Sequence, residues 1–144
     1  MLTIEQKLAR GDIIEASKCK PNKIKHIAGQ IEVDHAHLLA NNMPINIYII
    51  GSSSQAKLIK KLAKQLKKEN WHFKVKYVHK KKKSVKTVIH NCFDKIASSN
   101  HIVAVTKPDG SFGRGTSYEI EFAKRIGTPI YFVNPKDIKD ILEK

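Results

Sequence analysis

From residue 45 onward the apolar positions alternate between two periods. Residues 45–50 (INIYII) form a short β-branched and aromatic run that predicts a strand, and Gly51-Ser52-Ser53-Ser54 follows it. Residues 55–70 then place apolar side chains at 58, 59, 62, 63 and 66, the spacing of a helix face. Phe73, Val75 and Tyr77 alternate with Lys74 and Lys76, as in a strand exposed on one side. After a charge run at 79–83, Ser84 is placed to cap a helix reaching about residue 99. Residues 101–106 (HIVAVT) predict a buried strand, and 108–115 a loop with three glycines. A helix over 116–126 ends at Gly127, a strand covers 129–133, and a last short helix covers 136–143.

Strands that alternate with helices predict a parallel sheet covered on both faces. Right-handed crossovers leave few topologies, and the expected one is a flavodoxin- or Rossmann-like α/β fold of about four strands in the order 2-1-3-4. The chain then divides into residues 1–44, a helical N-terminal extension, and residues 45–144, the α/β domain. In the extension, Thr3 and Gln6 have capping-box spacing and Ile4, Leu8, Ile13 and Ile14 fall roughly on one face. Pro21 and Asn22 break that pattern before a second amphipathic stretch with Ile24, Ile27, Ile31, His35 and Leu38 or Leu39 on one side. These stripes need a partner surface, either the domain itself or another subunit, and a homo-oligomer is the expectation.

Composition narrows the class. The chain has 144 residues, 41% of them hydrophobic and 28% charged, which argues against disorder. No apolar run approaches the roughly 18 residues of a membrane span. The first residues lack the apolar core of a signal peptide, so a cytoplasmic location and no membrane partner are expected. Cys19 and Cys92 have no metal spacing, His35 and His37 do not share a helix face, and no His-x-x-x-His pair occurs, so neither metal nor other cofactor is expected.

Charge is the unusual feature. Lys and Arg number 27 against 13 acidic residues, a formal net charge of +14, yet only Arg10, Arg114 and Arg125 are arginines. Phosphate and base readers use the bidentate arginine fork heavily. A lysine excess also follows from codon usage in an AT-rich genome. Nucleic acid is therefore a possible partner but not the favoured one. The run at 79–83 reads first as a solvated loop, although it lies at the end of strand 2, on the ligand side.

In an open α/β sheet, ligands bind beyond the carboxyl ends of the strands where the strand order reverses. Two segments end there: Gly51 to Ser54 after strand 1, and Pro108 to Thr116 after strand 3. Gly51, Gly113 and Gly115 would let backbone approach a ligand, and Ser52, Ser53 and Thr116 supply hydroxyls beside helix N-termini. Neither segment is a Walker A or a dinucleotide fingerprint. Glu119 has two readings. Thr116-x-x-Glu119 fits a capping box. A carboxylate in a first helical turn beside the crevice also suits a nucleophile.

The strand HIVAVTKPDG followed by GRGTSYEIEFAKRIGTPIYFV resembles the nucleoside 2-deoxyribosyltransferase superfamily. That family combines an apolar strand, an acidic Gly-rich loop, a G-T/M-x-x-E-x-x-x-A helix and a small-G-K/T-P turn into the next strand. Ile47, Tyr48 and Gly51 are similar to its I-Y-x-x-G start, and the match spans roughly residues 46–134. The resemblance implies that Glu119 attacks the anomeric carbon of a nucleoside or nucleotide, that Tyr48 orients it and that Asp109 holds the sugar hydroxyls. It also places Asp94 against the base. Many relatives carry Asp before strand 3 where this chain has Asn100, a departure that would suit a nucleotide-binding domain without catalysis. A less close resemblance is to the nucleotide-binding "lonely guy" family, whose P-G-G-x-G-T-x-x-E motif is interrupted here by Ser111 and Phe112.

Overall fold

The computed structural model describes residues 24–77 and 93–136. The stretch at 1–14, the lysine run at 80–83, most of the helix expected over 84–99, both cysteines and most of the last helix lie outside the described residues. Four strands form one all-parallel sheet: β1 (Ile45–Gly51), β2 (Phe73–Tyr77), β3 (His101–Val105) and β4 (Ile130–Val133). Their order is β2-β1-β3-β4, as the alternation predicts. The ladders pair Ile47 with Val75 on one side of β1 and with His101 on the other, and Val103 with Tyr131 across β3 and β4.

The two central strands explain their own composition. All five residues of β3 are buried, and so are Ile45 and Ile47 to Ile50 of β1. A parallel strand in mid-sheet is covered on both faces, so it reads as a continuous apolar run. The edge strand β2 instead alternates, with Phe73 and Val75 buried and Lys74 and Lys76 exposed.

One face of the sheet is packed by α1 (Ile24–Asp34) and, after the short α2 (Ala36–Ala40), by α3 (Ala56–Glu69). Ile24, Ile27, Ala28 and Ile31 of α1 share a core with Ile59, Leu62, Ala63 and Leu66 of α3 and with Ile45, Ile47, Ile49, Phe73, Val75, Val103 and Val105. The second N-terminal stretch therefore finds its partner in the domain's own sheet. The opposite face carries a smaller core of Tyr48, Ile50, Ile96, Ile102, Ala104, Ile120 and Ala123. It is closed by α4 (Arg114–Ile126) and the helical residues 93–97, which are joined by Phe93 stacked on Phe122 with ring centroids 4.3 Å apart.

Two boundaries differ from the sequence reading. The stretch after Pro21 breaks at His35 into two helices, and His35 is drawn into the interior, where its Nε2 lies 3.0 Å from Nδ1 of His101. The other is the start of α4. Gly113 is its N-cap residue, so the helix begins at Arg114 and Thr116 is already its third residue. Its end is as read: Gly127 adopts φ 79°, and Thr128 N–H donates to the Ala123 carbonyl at 2.9 Å. That is a left-handed C-cap of Schellman type, which only glycine enters without strain.

The amino-terminal edge of the sheet is tied by polar pairs. Asn100 N–H donates to the Asn46 carbonyl at 2.7 Å, and Asn46 N–H donates to Asn100 Oδ1 at 2.8 Å. His35 and His101 are both buried, with ring planes at 84°. His101 Nε2 has no hydrogen-bond partner among the described residues. Burial first, and His35 second, push the His101 pKa down to about 3. His35 is lowered too, by burial and by His37, against an opposing pull from Asp34.

These histidines are neutral in the folded protein, whereas an unfolded histidine takes up a proton near pH 6.5. Their stabilisation is complete above that pH and is lost as pH falls, for His101 toward about 3. Each proton taken up on unfolding steepens the loss by about 1.4 kcal/mol per pH unit. Urea unfolding followed from pH 7 to pH 5 is expected to show falling stability, with a flatter profile in His101→Leu. Equal slopes in the two proteins would remove the pair from the account.

Candidate functional site

The strand order reverses between β1 and β3, and the two chain segments leaving their carboxyl ends meet there. After β1, a 3-10 turn (Ser53–Gln55) leads into α3. After β3, residues 106–113 lead into α4. A Cβ built on Gly113 would lie 3.7 Å from Cβ of Ser52, so the two segments are in contact range.

Gly51 is required by packing. A Cβ there would come within 2.9 Å of Ile59 Cδ1 and 3.1 Å of the Val105 carbonyl oxygen. The sequence reading assigned this glycine to ligand approach; on its side-chain side the space is taken by α3 and β3. Ser52 and Ser54 face each other with their hydroxyl oxygens 2.7 Å apart, and Gln55 N–H closes the turn on the Ser52 carbonyl at 2.9 Å. Ser53 is exposed. No side chain caps the start of this turn or of α4, so the first backbone N–H groups at both starts have no side-chain cap acceptor.

The segment after β3 is built in three steps. Thr106 continues the ladder by donating its N–H to the Val133 carbonyl at 2.8 Å. Lys107-Pro108-Asp109-Gly110 then forms a turn, closed by Gly110 N–H on the Lys107 carbonyl, with Gly110 at φ 87°. Asp109 accepts from the Ser111 hydroxyl at 2.6 Å and from the Ser111 N–H at 2.9 Å. These bonds, the hydroxyl first, hold its carboxyl below the usual range, so it is an ionised acceptor on an exposed turn. Phe112, which the sequence reading treated as an insertion, packs edge-on to Phe132 of β4 and anchors the turn to the sheet. A lone phenylalanine in a Gly/Ser-rich loop was the signal for it.

Helix α4 turns Thr116, Glu119, Ile120 and Ala123 inward, the i, i+3, i+4, i+7 stripe of a packed helix. The expected capping box is not formed, because Thr116 lies three residues inside the helix. Glu119 consequently sits in the second turn, where the helix dipole has largely faded. Ile126, at the end of the helix, is exposed. Glu119 is 9% exposed, a carboxylate on the inner face of a helix that packs across β1 and β4. Such a group needs polar company, and Glu119 has it. Tyr48 projects from the middle of β1 onto this same face and is fully buried. Glu121 is exposed on the other side.

The fold therefore gathers Tyr48 and Glu119 on one face and Gly51, Ser52, Ser53, Asp109, Gly113 and Gly115 around one edge. Asp94 is not among them. It is exposed on the helical residues 93–97, which run directly into the amino end of β3, the opposite edge from the crevice. Asn100 also lies at that amino edge, where it bonds Asn46; its identity bears on strand pairing. Arg114, exposed at the first position of α4, stands at the crevice edge and was not singled out from the sequence. Among the described residues no group of three or more His, Cys, Asp or Glu is placed to hold a metal ion. No described helix is long and apolar enough to cross a membrane.

Compared with family models, curated proteins and solved structures, the chain matches none.

The glycines supply a paired test of this geometry. Gly51→Ala is expected to cost about 1–3 kcal/mol, because the methyl must displace Ile59 and the β3 backbone. Gly115→Ala meets nothing within 4 Å inside a helix and is expected to gain up to about 1 kcal/mol. Chemical denaturation of both variants measures this. A Gly51→Ala protein as stable as wild type would mean that the end of β1 has room to spare.

Proposed function

We propose that the chain acts on the N-glycosidic bond of a nucleoside or nucleoside monophosphate, with Glu119 as nucleophile. One observation carries the reading: a carboxylate is held on the inner face of α4, on the same side of the sheet as Tyr48 and beside the strand-order reversal. Buried ionisable groups are expensive, and a fold that keeps one next to its ligand crevice is using it or pairing it. The resemblance of the segment 101–134 to deoxyribosyltransferases supports the former.

In this mechanism the Glu119 carboxylate attacks the anomeric carbon while the bond to the base breaks. The electron pair leaves with the base, which takes a proton at a ring nitrogen. A glycosyl ester remains, and one difficult displacement has become two easier ones. Water, or a second base, then attacks the same carbon and restores the carboxylate. Tyr48 restricts where the carboxylate can sit. Asp109, ionised, accepts hydrogen bonds from the sugar hydroxyls. The serines at 52 and 53, the uncapped N–H groups at the starts of the two helices and Arg114 receive the 5′ end and favour a phosphate there.

The test is base release from deoxynucleosides and their 5′-monophosphates, read by chromatography. Glu119→Gln keeps the size of the side chain and is expected to lower release by several orders of magnitude while the fold survives. Glu121→Gln, exposed on the other side of the helix, is expected to change neither. Binding without release by the wild-type chain would replace this reading with that of a nucleotide-binding domain.

A further inference from the structure

The outer face of α3 is unlike the outer faces of the other long helices. Lys57, Lys60, Lys61, Lys64, Lys67 and Lys68 all lie on it and all are exposed, with Glu69 the sole carboxylate, at its far end. Codon usage would spread lysine over every solvent face, yet α1 and α4, of 11 and 13 residues, carry one lysine each, Lys25 and Lys124. The fold itself gains little from the arrangement. The lysines repel one another at i, i+3 and i+4 spacing, and Lys57 stands in the first turn, where the helix dipole disfavours a cation. A polyanion laid along the face would relieve both.

Two residues beyond the end of α3 the chain exposes its single tryptophan. Trp71 is 77% exposed, and its ring lies on that of His72 with centroids 3.8 Å apart. His72 is fixed in turn, its ring nitrogens 3.1 Å from Asn70 Oδ1 and 2.9 Å from Asn42 Oδ1. The indole is therefore backed on one side and open on the other, a stacking platform ordered in advance.

We propose that the α3 face and Trp71 form a docking surface for single-stranded nucleic acid, bound through its phosphates and an unpaired base without reading sequence. Lysines act on phosphate as point charges and carry no bidentate base readout. From Lys57 to Lys68 the face runs about 16 Å, enough to follow several phosphates of one strand. Stacking on an aromatic ring tolerates any base but needs one that is unpaired. A lipid surface fits less well, because the apolar side of α3 is used in the core and its outer face offers lysines and Glu69 alone. The face begins at Lys57, next to the crevice edge, and runs away from it to Trp71, and none of its residues takes part in the glycosidic chemistry.

The experiment titrates the full chain into a labelled twenty-nucleotide oligothymidylate, the same length of duplex, and phosphatidylserine vesicles, between 50 and 200 mM salt. Anisotropy reports binding and the one tryptophan reports stacking. The expected result is single-strand binding with quenched indole fluorescence. The combined change Lys60→Gln, Lys64→Gln and Lys67→Gln is expected to weaken it roughly tenfold or more at 50 mM salt and to lower the salt slope by about 2. Trp71→Ala is expected to weaken binding several-fold and leave the slope unchanged. All four positions are exposed, and circular dichroism checks that the variants fold. An unquenched indole, duplex bound as tightly as single strand, full affinity in the triple variant, or vesicle binding that single strand does not compete would each overturn the proposal.

Discussion

Strand β1 carries apolar side chains to both faces of the sheet, and the rest of the structure is arranged around that. Ile45, Ile47 and Ile49 belong to the core under α1 and α3, while Tyr48 and Ile50 belong to the core under α4. A strand buried on both faces has to be flanked by parallel neighbours and covered by crossover helices above and below. The path from β1 to β2 takes one direction along the sheet and the path from β3 to β4 the other. The two loops leaving β1 and β3 therefore meet at one place, and the glycine that ends β1 is packed so closely that even a methyl would have to displace Ile59 and the β3 backbone.

The two edges of the sheet are built from different chemistry. At the amino edge, polar side chains pair with one another, Asn46 with Asn100 and His35 with His101, and Nε2 of His101 has no partner among the described residues. At the carboxyl edge the serines at 52 and 53, the turn at 107–110 and the start of α4 present hydroxyls, a carboxylate and uncapped N–H groups to the outside. Sealing one edge while leaving the other polar and accessible is the division that α/β ligand sites use. Glu119 belongs to the second region, one turn below the surface on the inner side of α4.

What was legible in the sequence was what depends on local pattern. The four strands were readable because runs such as INIYII and HIVAVT have the composition of two-sided burial, and right-handed crossovers leave few orders, of which the flavodoxin-like one is found. Gly127 was readable because a left-handed C-cap is a glycine habit. The break at His35 was not, because it accompanies a bond to a residue 66 positions away. The start of α4 is displaced from the sequence reading because Thr116 is a good cap, whereas the fold uses Gly113, which has no side chain to advertise the role. Gly51 reads from the sequence as a glycine of ligand approach, and nothing there reveals that Ile59 and Val105 stand behind it. Asp94 was assigned to the site by motif, and only the helix direction separates it from the crevice.

The central claim is that small ligands enter where the loops after β1 and β3 meet. Amide chemical shifts followed while a deoxynucleoside 5′-monophosphate is added test this most directly, since each N–H reports its own position. The account predicts changes concentrated at residues 51–56 and 106–116, with the amino edge around Asn46, Asn100 and His101 undisturbed. Changes centred on that amino edge, or none at millimolar nucleotide, would contradict it.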